Sequence, residues 1–545
     1  MISMKEKCFI VWIVLIWVCS RPIWAANYDS VYTQLPFPME KPMMPVIPDL
    51  TVSLTEYGGK GDGETLNTHA FEKAISDLSQ RGGGHLIVPE GVWVTGPIVM
   101  KSNIDLHVVK NAIVLFTSDK SQYPVLPPDE GTSAFRCQSP VSAYHERNFS
   151  ITGEGVFDGN GEYWRPVKRS KVSEIEWDRF LSRGGIAGKG GKIWYPWNLW
   201  NSPGDSCVAD SPEKLSKVRP RLFRIVGCEQ VLLQGVVFQN SPSFHVNFIL
   251  CKDIIVDQVT VRCPWNAQNG DGIDFSSCEN VLVTNASVDV GDDAICLKSG
   301  IGETGRRRGP CRNVLIDGCT VFHGHGGFVI GSDTGGGISN VVVRNCRFMN
   351  TDTGIRLKSL RGRGGLVENI YVENIRMNDI ANYAIWFELF YQKETPVLET
   401  VPEGSEKTDA PWMAVNADTP CFRNICMSNI TCTDADQAMF LNGLPEMNVQ
   451  DIQITDCYIS AQKGIRVNET SNLRMDRIVL AISDGDLATF NNVKDVHIHQ
   501  LKARKQSGIS VSGSRNRNIQ VEGENISRQN VHTTPLASGS IIIID

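Results

Sequence analysis

The chain runs to 545 residues, 41% of them hydrophobic and 21% charged, with a formal net charge of −7. Such a composition buries a large core and excludes a disordered polyelectrolyte. The acidic balance argues against nucleic acid as the partner, while leaving room for a local basic site facing an acidic ligand.

Residues 1–26 read as an export signal: Lys5 and Lys7, then the apolar run "CFIVWIVLIWVCS", then a small-residue cleavage zone "PIWAA". The apolar run is too short for a comfortable membrane span and no second one follows, so an exported soluble protein, periplasmic or extracellular, is expected. Residues 27–50 form a proline-rich leader, extended and strap-like. Residues 51–100 hold an N-terminal cap and first strands. The cap helix takes Asn67 or Thr68 as its N-cap and Phe71, Ala74, Ile75 and Leu78 as its apolar stripe. A helix laid over the open end of a stacked sheet covers its unpaired edge.

From about residue 101 to 545 one phrase recurs: a turn Asn or Asp, an apolar–x–apolar strand, two turn residues and another alternating strand. "CEQVLLQGVVF" from Cys228, "CKDIIVDQVTV" from Cys251, "CENVLVTNASV" from Cys278 and "CRNVLIDGCTV" from Cys311 are copies. The turn markers at 253, 280, 313, 340 and 369 are 27 to 33 residues apart, and those at 451, 472, 495 and 518 only 21 to 23. Short strands at such a period mark a solenoid whose coils bury their inward faces by stacking. The reading is an all-β, single-stranded right-handed parallel β-helix of roughly a dozen coils. The repeat-position cysteines are expected to stack inside as small apolar residues. A disulfide among loop cysteines such as Cys207 or Cys421 is the alternative. No cysteine or histidine cluster has zinc spacing, so no structural metal is expected. Residues 160–218 break the period as a long insertion, of the kind that lines a binding face.

Polar clusters recur at coil spacing between 240 and 395. Asp271 in "NAQNGDGID" precedes Asp292 and Asp293 in "DVGDDAICLKSG" by about one coil; His325 in "HGHGG" and Arg356 with Lys358 in "GIRLKS" follow. Strand alternation aims Arg356 and Lys358 at one face and sends Leu357 inside. Three clustered carboxylates cannot all ionise, so at least one holds a proton; one acid and ionised partners beside a water are what glycosidic hydrolysis requires. Gly291 is expected to supply the backbone freedom that turns both aspartates toward one cleft.

Four motifs carry a resemblance to the pectin-degrading polygalacturonases of glycoside hydrolase family 28: Asn269-Gly270-Asp271, Gly291-Asp292-Asp293, Gly324-His325-Gly326 and Arg356-Leu357-Lys358. The resemblance runs from about Thr51 to near the end, departing where Gly270 replaces the family's usual Thr. It implies inverting hydrolysis of α-1,4-linked galacturonic acid. Asp292 would be the general acid, Asp271 and Asp293 would hold and deprotonate the water, and His325 would support the acid. Asn269, Arg356, Lys358 and Tyr391 would bind substrate. It implies no metal and no organic cofactor, a pectic polysaccharide or oligogalacturonide substrate, and a monomer. Arg306, Arg307 and Arg361, in "GETGRRRGP" and "RGRGG", add basic loops around the same column. With the insertion at 160–218 they favour exo over endo action. Endo action or rhamnogalacturonan hydrolysis remains the near alternative. A calcium-dependent pectate lyase or a non-catalytic β-helical carbohydrate-binding protein is the remote one.

Overall fold

The computed structural model describes residues 28–196, 211–391, 411–526, 528–537 and 539–544. The export segment at 1–26 and Cys207 lie outside them.

Nearly every strand pairs in parallel with its counterpart one coil on, giving one sheet of 24 strands and another of 14, which wind a parallel β-helix. Interior positions repeat in register: Val231, Ile254, Val281, Val314, Val341 and Ile370 stand on successive coils. All six belong to one core running the length of the helix. The turn markers explain the repeat. Asp253, Asn280, Asn313, Asn340 and Asn369 all have φ of 54° to 56°, a left-handed conformation that Asn and Asp tolerate best among residues with a side chain. Their side chains then form a ladder, Asn280 Nδ2 donating to Asp253 at 3.0 Å, Asn313 to Asn280 at 3.1 Å and Asn369 to Asn340 at 3.0 Å. Cys228, Cys251, Cys278 and Cys311 are buried at one repeat position, and every described cysteine, Cys421 included, is a free thiol. The disulfide alternative therefore fails among the described residues.

The expected helix forms over Thr68–Gln80, with Phe71, Ala74, Ile75 and Leu78 buried against the first coil. Asn67 is the N-cap residue, but its side chain does not cap: Nδ2 donates to the carbonyls of Lys60, Thr65 and Val94. The leader is a strap. Tyr28, Val31, Leu35 and Phe37 lie on an outward apolar stripe made of Leu232, Ile255, Leu282, Leu315 and Val342. Arg344 pins it through the carbonyls of Val31 and Thr33. Among the described residues no helix is long and apolar enough to cross a membrane.

From Leu366 onward, pairs of short strands merge into single ones, such as Leu366–Asn378, Val449–Ala461 and Thr470–Ile482. Earlier coils carry longer connections, and these crowd over the 14-stranded sheet where the polar column stands.

Candidate active site

The column crosses the strands Ile273–Ser276, Asp293–Lys298, Gly326–Gly331 and Thr353–Lys358, neighbours in the 14-stranded sheet, with the aspartates and His325 at their starts and Arg356 and Lys358 further along the last. Asp271 precedes the first of these strands. Asp292 ends the turn before the second, and Asp293 begins it, so the aspartate pair escapes strict strand alternation. Asp292 Oδ1 accepts the Asp293 N–H at 3.0 Å, which fixes the bend. Gly291 serves differently from expectation: it lacks a positive φ. A Cβ there would lie 2.7 Å from the Trp265 carbonyl and 2.8 Å from that of Ala267, so the glycine permits close approach of a neighbouring loop.

One carboxylate oxygen from each of Asp271, Asp292 and Asp293 lies within 4.8 Å of the others. Asp271 and Asp293 have side chains only 4% exposed, whereas Asp292 is 21% exposed. Lys298 Nζ stands 3.1 Å from Asp271 Oδ2 and also pairs with buried Asp274. Lys358 Nζ donates to Asp293 Oδ2 at 2.7 Å, and Arg356 Nη1 is 3.6 Å from Asp293 Oδ1. Asp271 Oδ1 and Asp293 Oδ1 are left buried without a hydrogen-bond partner.

These surroundings sort the acids. Burial pushes Asp271 well above the carboxylate range, and the charges of Asp292, Asp274 and Asp293 add to the rise that Lys298 opposes. Burial also raises Asp293, but Lys358 and Arg356 outweigh it and hold Asp293 below its ordinary value. For Asp292 burial is overcome by the hydrogen bond and charge of His325 and by Lys358 and Lys298, leaving it strongly lowered. In the free protein the surroundings raise Asp271 and lower Asp292, so they favour a proton on Asp271 over one on Asp292, the acid of the sequence reading. The reason is His325, whose Nδ1 donates to Asp292 Oδ1 at 3.1 Å.

Behind the cluster, His245 Nδ1 donates to the Asp271 carbonyl at 2.9 Å while its Nε2 accepts from Ser241 N. Burial lowers His245 to about 4, so it is neutral and holds the Asp271 backbone in place.

Arg356 and Lys358 do share one face, as expected, but they are buried rather than exposed, at 9% and 4%. Arg356 lies over the rings of Trp386 and Tyr391, and Lys358 over Tyr391. Asn269 is exposed, its Oδ1 held by Arg219. The basic loops are mostly committed elsewhere. Arg306 pairs with Asp418 from a short helix, Gly302–Arg308. Arg361 makes a two-pronged pair with buried Glu446. Arg307 is exposed on that short helix. Arg361 thus ties two loops together and is not a free cation for substrate.

Four functional groups escape the sequence reading: Lys298, Asp274, Lys171 and Asp352. Lys171 comes from the long insertion, and its Nζ donates to His325 Nε2 at 3.3 Å; Asp352 Oδ2 lies 3.7 Å from the same nitrogen. The three aspartates are close enough to chelate a cation. The ammonium groups of Lys298 and Lys358 already contact Asp271 and Asp293, and a metal would have to displace those contacts.

The family model for glycosyl hydrolases family 28 matches residues 178–409. A hyperthermoactive exopolygalacturonase from Thermotoga maritima is 30% identical in sequence with a TM-score of 0.64, over 81% of this chain and 94% of that one. A probable polygalacturonase of Vitis vinifera is 29% identical over 70% of this chain and 74% of its own length. An exo-poly-alpha-D-galacturonosidase of Dickeya chrysanthemi is 30% identical over 64% of this chain and 59% of its own.

Proposed function

Because the chain belongs to glycosyl hydrolases family 28, we propose that it hydrolyses α-1,4-linked galacturonic acid in pectin, with exo action and inversion at the anomeric carbon. The observation that carries the mechanism is the cluster itself: one carboxylate oxygen from each aspartate lies within 4.8 Å of the others, and Asp271 Oδ1 and Asp293 Oδ1 are buried without a protein partner. Such a gap admits one water at about 2.8 Å from each. Asp293, kept ionised by Lys358, accepts the proton of that water. Asp271, carrying the resting proton, orients it. Asp292 is the carboxylate with solvent access and relays to the leaving oxygen a proton taken from Nδ1 of the imidazolium form of His325, which is left as a neutral imidazole. Arg356 and Tyr391 face the substrate carboxylate.

Exo action is supported by the insertion, which brings Lys171 to 3.3 Å from His325 and so narrows one side of the cleft. The lysine-flanked apolar segment at 5–26 supports action outside the cytoplasm. Time-resolved products from polygalacturonic acid test the reading: one short product from the first minute supports it, whereas an early ladder of oligomers means endo action. An unsaturated, ultraviolet-absorbing product lost on chelation would mean a lyase.

The stereochemical outcome separates direct attack by water from a covalent glycosyl-enzyme intermediate. Proton NMR of the first product decides: the reducing end is expected as the β-anomer, and an initial α-anomer would establish retention. The charge assignment makes a second expectation. Asn mimics a protonated Asp, so Asp271→Asn keeps more turnover than Asp293→Asn, which removes the base. The reverse order would place the base on Asp271.

Lys171 and Asp352 compete for His325 Nε2, one favouring the neutral ring and the other the imidazolium. Burial lowers the pKa of Lys171, and Lys168 adds to the effect. Lys171→Met leaves Asp352 as the nearest charge, so the alkaline limb of kcat is expected to move to higher pH. A profile superimposable on wild type would remove Lys171 from the proton path.

A further inference from the structure

Arg356 and Lys358 lie on the C-terminal side of the aspartates. The N-terminal side carries a second group of cations that the mechanism does not use. In the register of the 14-stranded sheet, Arg224, Asn247 and Asp274 are successive neighbours, and Cys296, Val329 and Arg356 continue the row. At about 4.8 Å per strand, Arg224 stands roughly 10 Å before Asp274 and Arg356 roughly 14 Å after it. Around Arg224 gather Arg136, from the strand Arg136–Cys137, Arg308, from the short helix Gly302–Arg308, and Arg221. Arg221 bridges the two regions: it feels the charges of Arg136 and Arg224 on one side and of Asp274 and Asp271 on the other.

Anions are scarce among these four guanidinium groups. Among the described residues Asp129 is the one carboxylate held directly, accepting from Arg224 Nη2 at 2.8 Å. Asp333, which also acts on Arg308, is taken by Arg363. The Nε atoms of Arg136, Arg224 and Arg308 are buried and find no hydrogen-bond partner in the protein, although Arg224 is only 3% exposed. Converging, largely shielded cations with unspent donors carry a self-repulsion that folding alone does not reward, whereas a planar carboxylate meets guanidinium forks with short, charge-assisted bonds. The floor resembles the other side: Arg221 and Lys298 both lie over the Phe244 ring, at 4.7 and 4.6 Å. This echoes Arg356 and Lys358 over Tyr391.

We propose that Arg136, Arg221, Arg224 and Arg308 form a second carboxylate subsite, which holds a uronic acid residue of the substrate on the side of the scissile bond opposite Arg356. The inference rests on the pectic reading above and deepens it. The enzyme grips a polyanion at both flanks of the aspartates, so a neutral or esterified sugar at this end is refused.

The test uses the full-length Asp292→Asn protein, so that binding is read without turnover, and titrates it calorimetrically with trigalacturonate and with its methyl ester. Arg136→Gln and Arg308→Gln, each added separately, are expected to weaken trigalacturonate binding by roughly 10- to 100-fold, the worth of a charge-assisted contact. They are expected to leave binding of the ester, and the thermal midpoint, nearly unchanged. Arg224→Gln is the less informative variant because its burial couples it to folding. If the Asp292→Asn parent binds trigalacturonate and both folded variants bind it within twofold of the parent, the subsite is overturned and the pectic reading stands. A parent that binds no galacturonide overturns both.

Discussion

Asp292→Asn is expected to bind oligogalacturonate about as well as wild type and to lose at least two orders of magnitude in kcat. The substitution keeps volume and a hydrogen-bond acceptor for His325 but abolishes the proton that the leaving oxygen must receive, and general acid catalysis is worth roughly 10²–10⁴. The size of the loss separates two assignments that the electrostatics keep in tension. In the free protein burial raises Asp271 while His325 lowers Asp292, so a resting-state view would name Asp271 the acid. Access argues otherwise, because Asp271 is 4% exposed and Asp292 21%. The proton that Asp292 passes on comes from the imidazolium form of His325, whose Nδ1 is 3.1 Å from Asp292 Oδ1; giving it up leaves a neutral imidazole protonated at Nε2, the nitrogen that faces Asp352. A glycosidic oxygen arriving at Asp292 competes for that proton, and transfer through the carboxylate completes the step with no net charge left on the leaving sugar. Activity of Asp292→Asn within tenfold of wild type would hand the acid role to Asp271. A substrate with an activated phenolic leaving group sharpens the test: it needs little protonation, so the variant should recover much of its rate on it, whereas a misfolded variant would not.

Much of the fold is legible because each coil repeats its own chemistry. The Asn ladder shows in the sequence since a left-handed turn residue is demanded once per coil, and the alternating strands show because one face of each is buried. The cap helix is legible for the usual 3.6-residue reason, and its N-cap misleads because Asn67 spends its amide on three loop carbonyls. The aspartates and His325 stand out because acids and glycines in buried strands have no folding role there. Lys298 was equally readable: Ile295-Cys296-Leu297-Lys298 repeats the phrase Ile355-Arg356-Leu357-Lys358, and the two segments stand in register with one strand between them. Aligning these two phrases makes Lys298 the counterpart of Lys358, each neutralising one aspartate. Lys171, Arg136 and Arg308 could not be read this way. They reach the cleft from segments outside the repeat, where no period dictates direction. Arg306 and Arg361 are hard to read for a related reason: composition gives charge, but Asp418 and Glu446, distant in sequence, decide that these two are already paired.

Lys358→Met is expected to lower both the thermal midpoint and kcat, and to do so in a pH-dependent way. The sequence pattern treats Lys358 as an exposed reader of substrate, whose removal would leave stability alone. The structure buries it, with Nζ 2.7 Å from Asp293 Oδ2 and the side chain 5% exposed. Breaking a buried pair leaves an uncompensated charge and costs about 3–5 kcal/mol. The remaining cation, Arg356 at 3.6 Å, offsets part of that. In wild type, burial raises Asp293 but Lys358 and then Arg356 more than reverse it, so its folded pKa lies below the ordinary value of 3.8. The stability from this ionised form is present above that value and is lost as pH falls through the lowered one. Without Lys358 burial dominates and Asp293 moves above 3.8. Its contribution in the variant is then fully present below that value and is lost as pH rises. The gap in melting temperature between the two proteins should therefore be small near pH 3.5 and widen toward neutrality. Turnover follows the same group. Asp293 must be ionised to take the proton of the water, so the acid limb of the variant's kcat profile shifts upward, with a loss of at least tenfold near pH 5 that shrinks as pH rises. Arg356→Ala is the control: its Nε has no protein partner and it sits farther from Asp293, so it should raise KM on polygalacturonate more than it lowers the melting temperature. Equal melting of wild type and Lys358→Met across pH 3.5–7, with kcat lowered uniformly, would mean that Asp293 ionises without this lysine and that Lys358 serves the substrate alone.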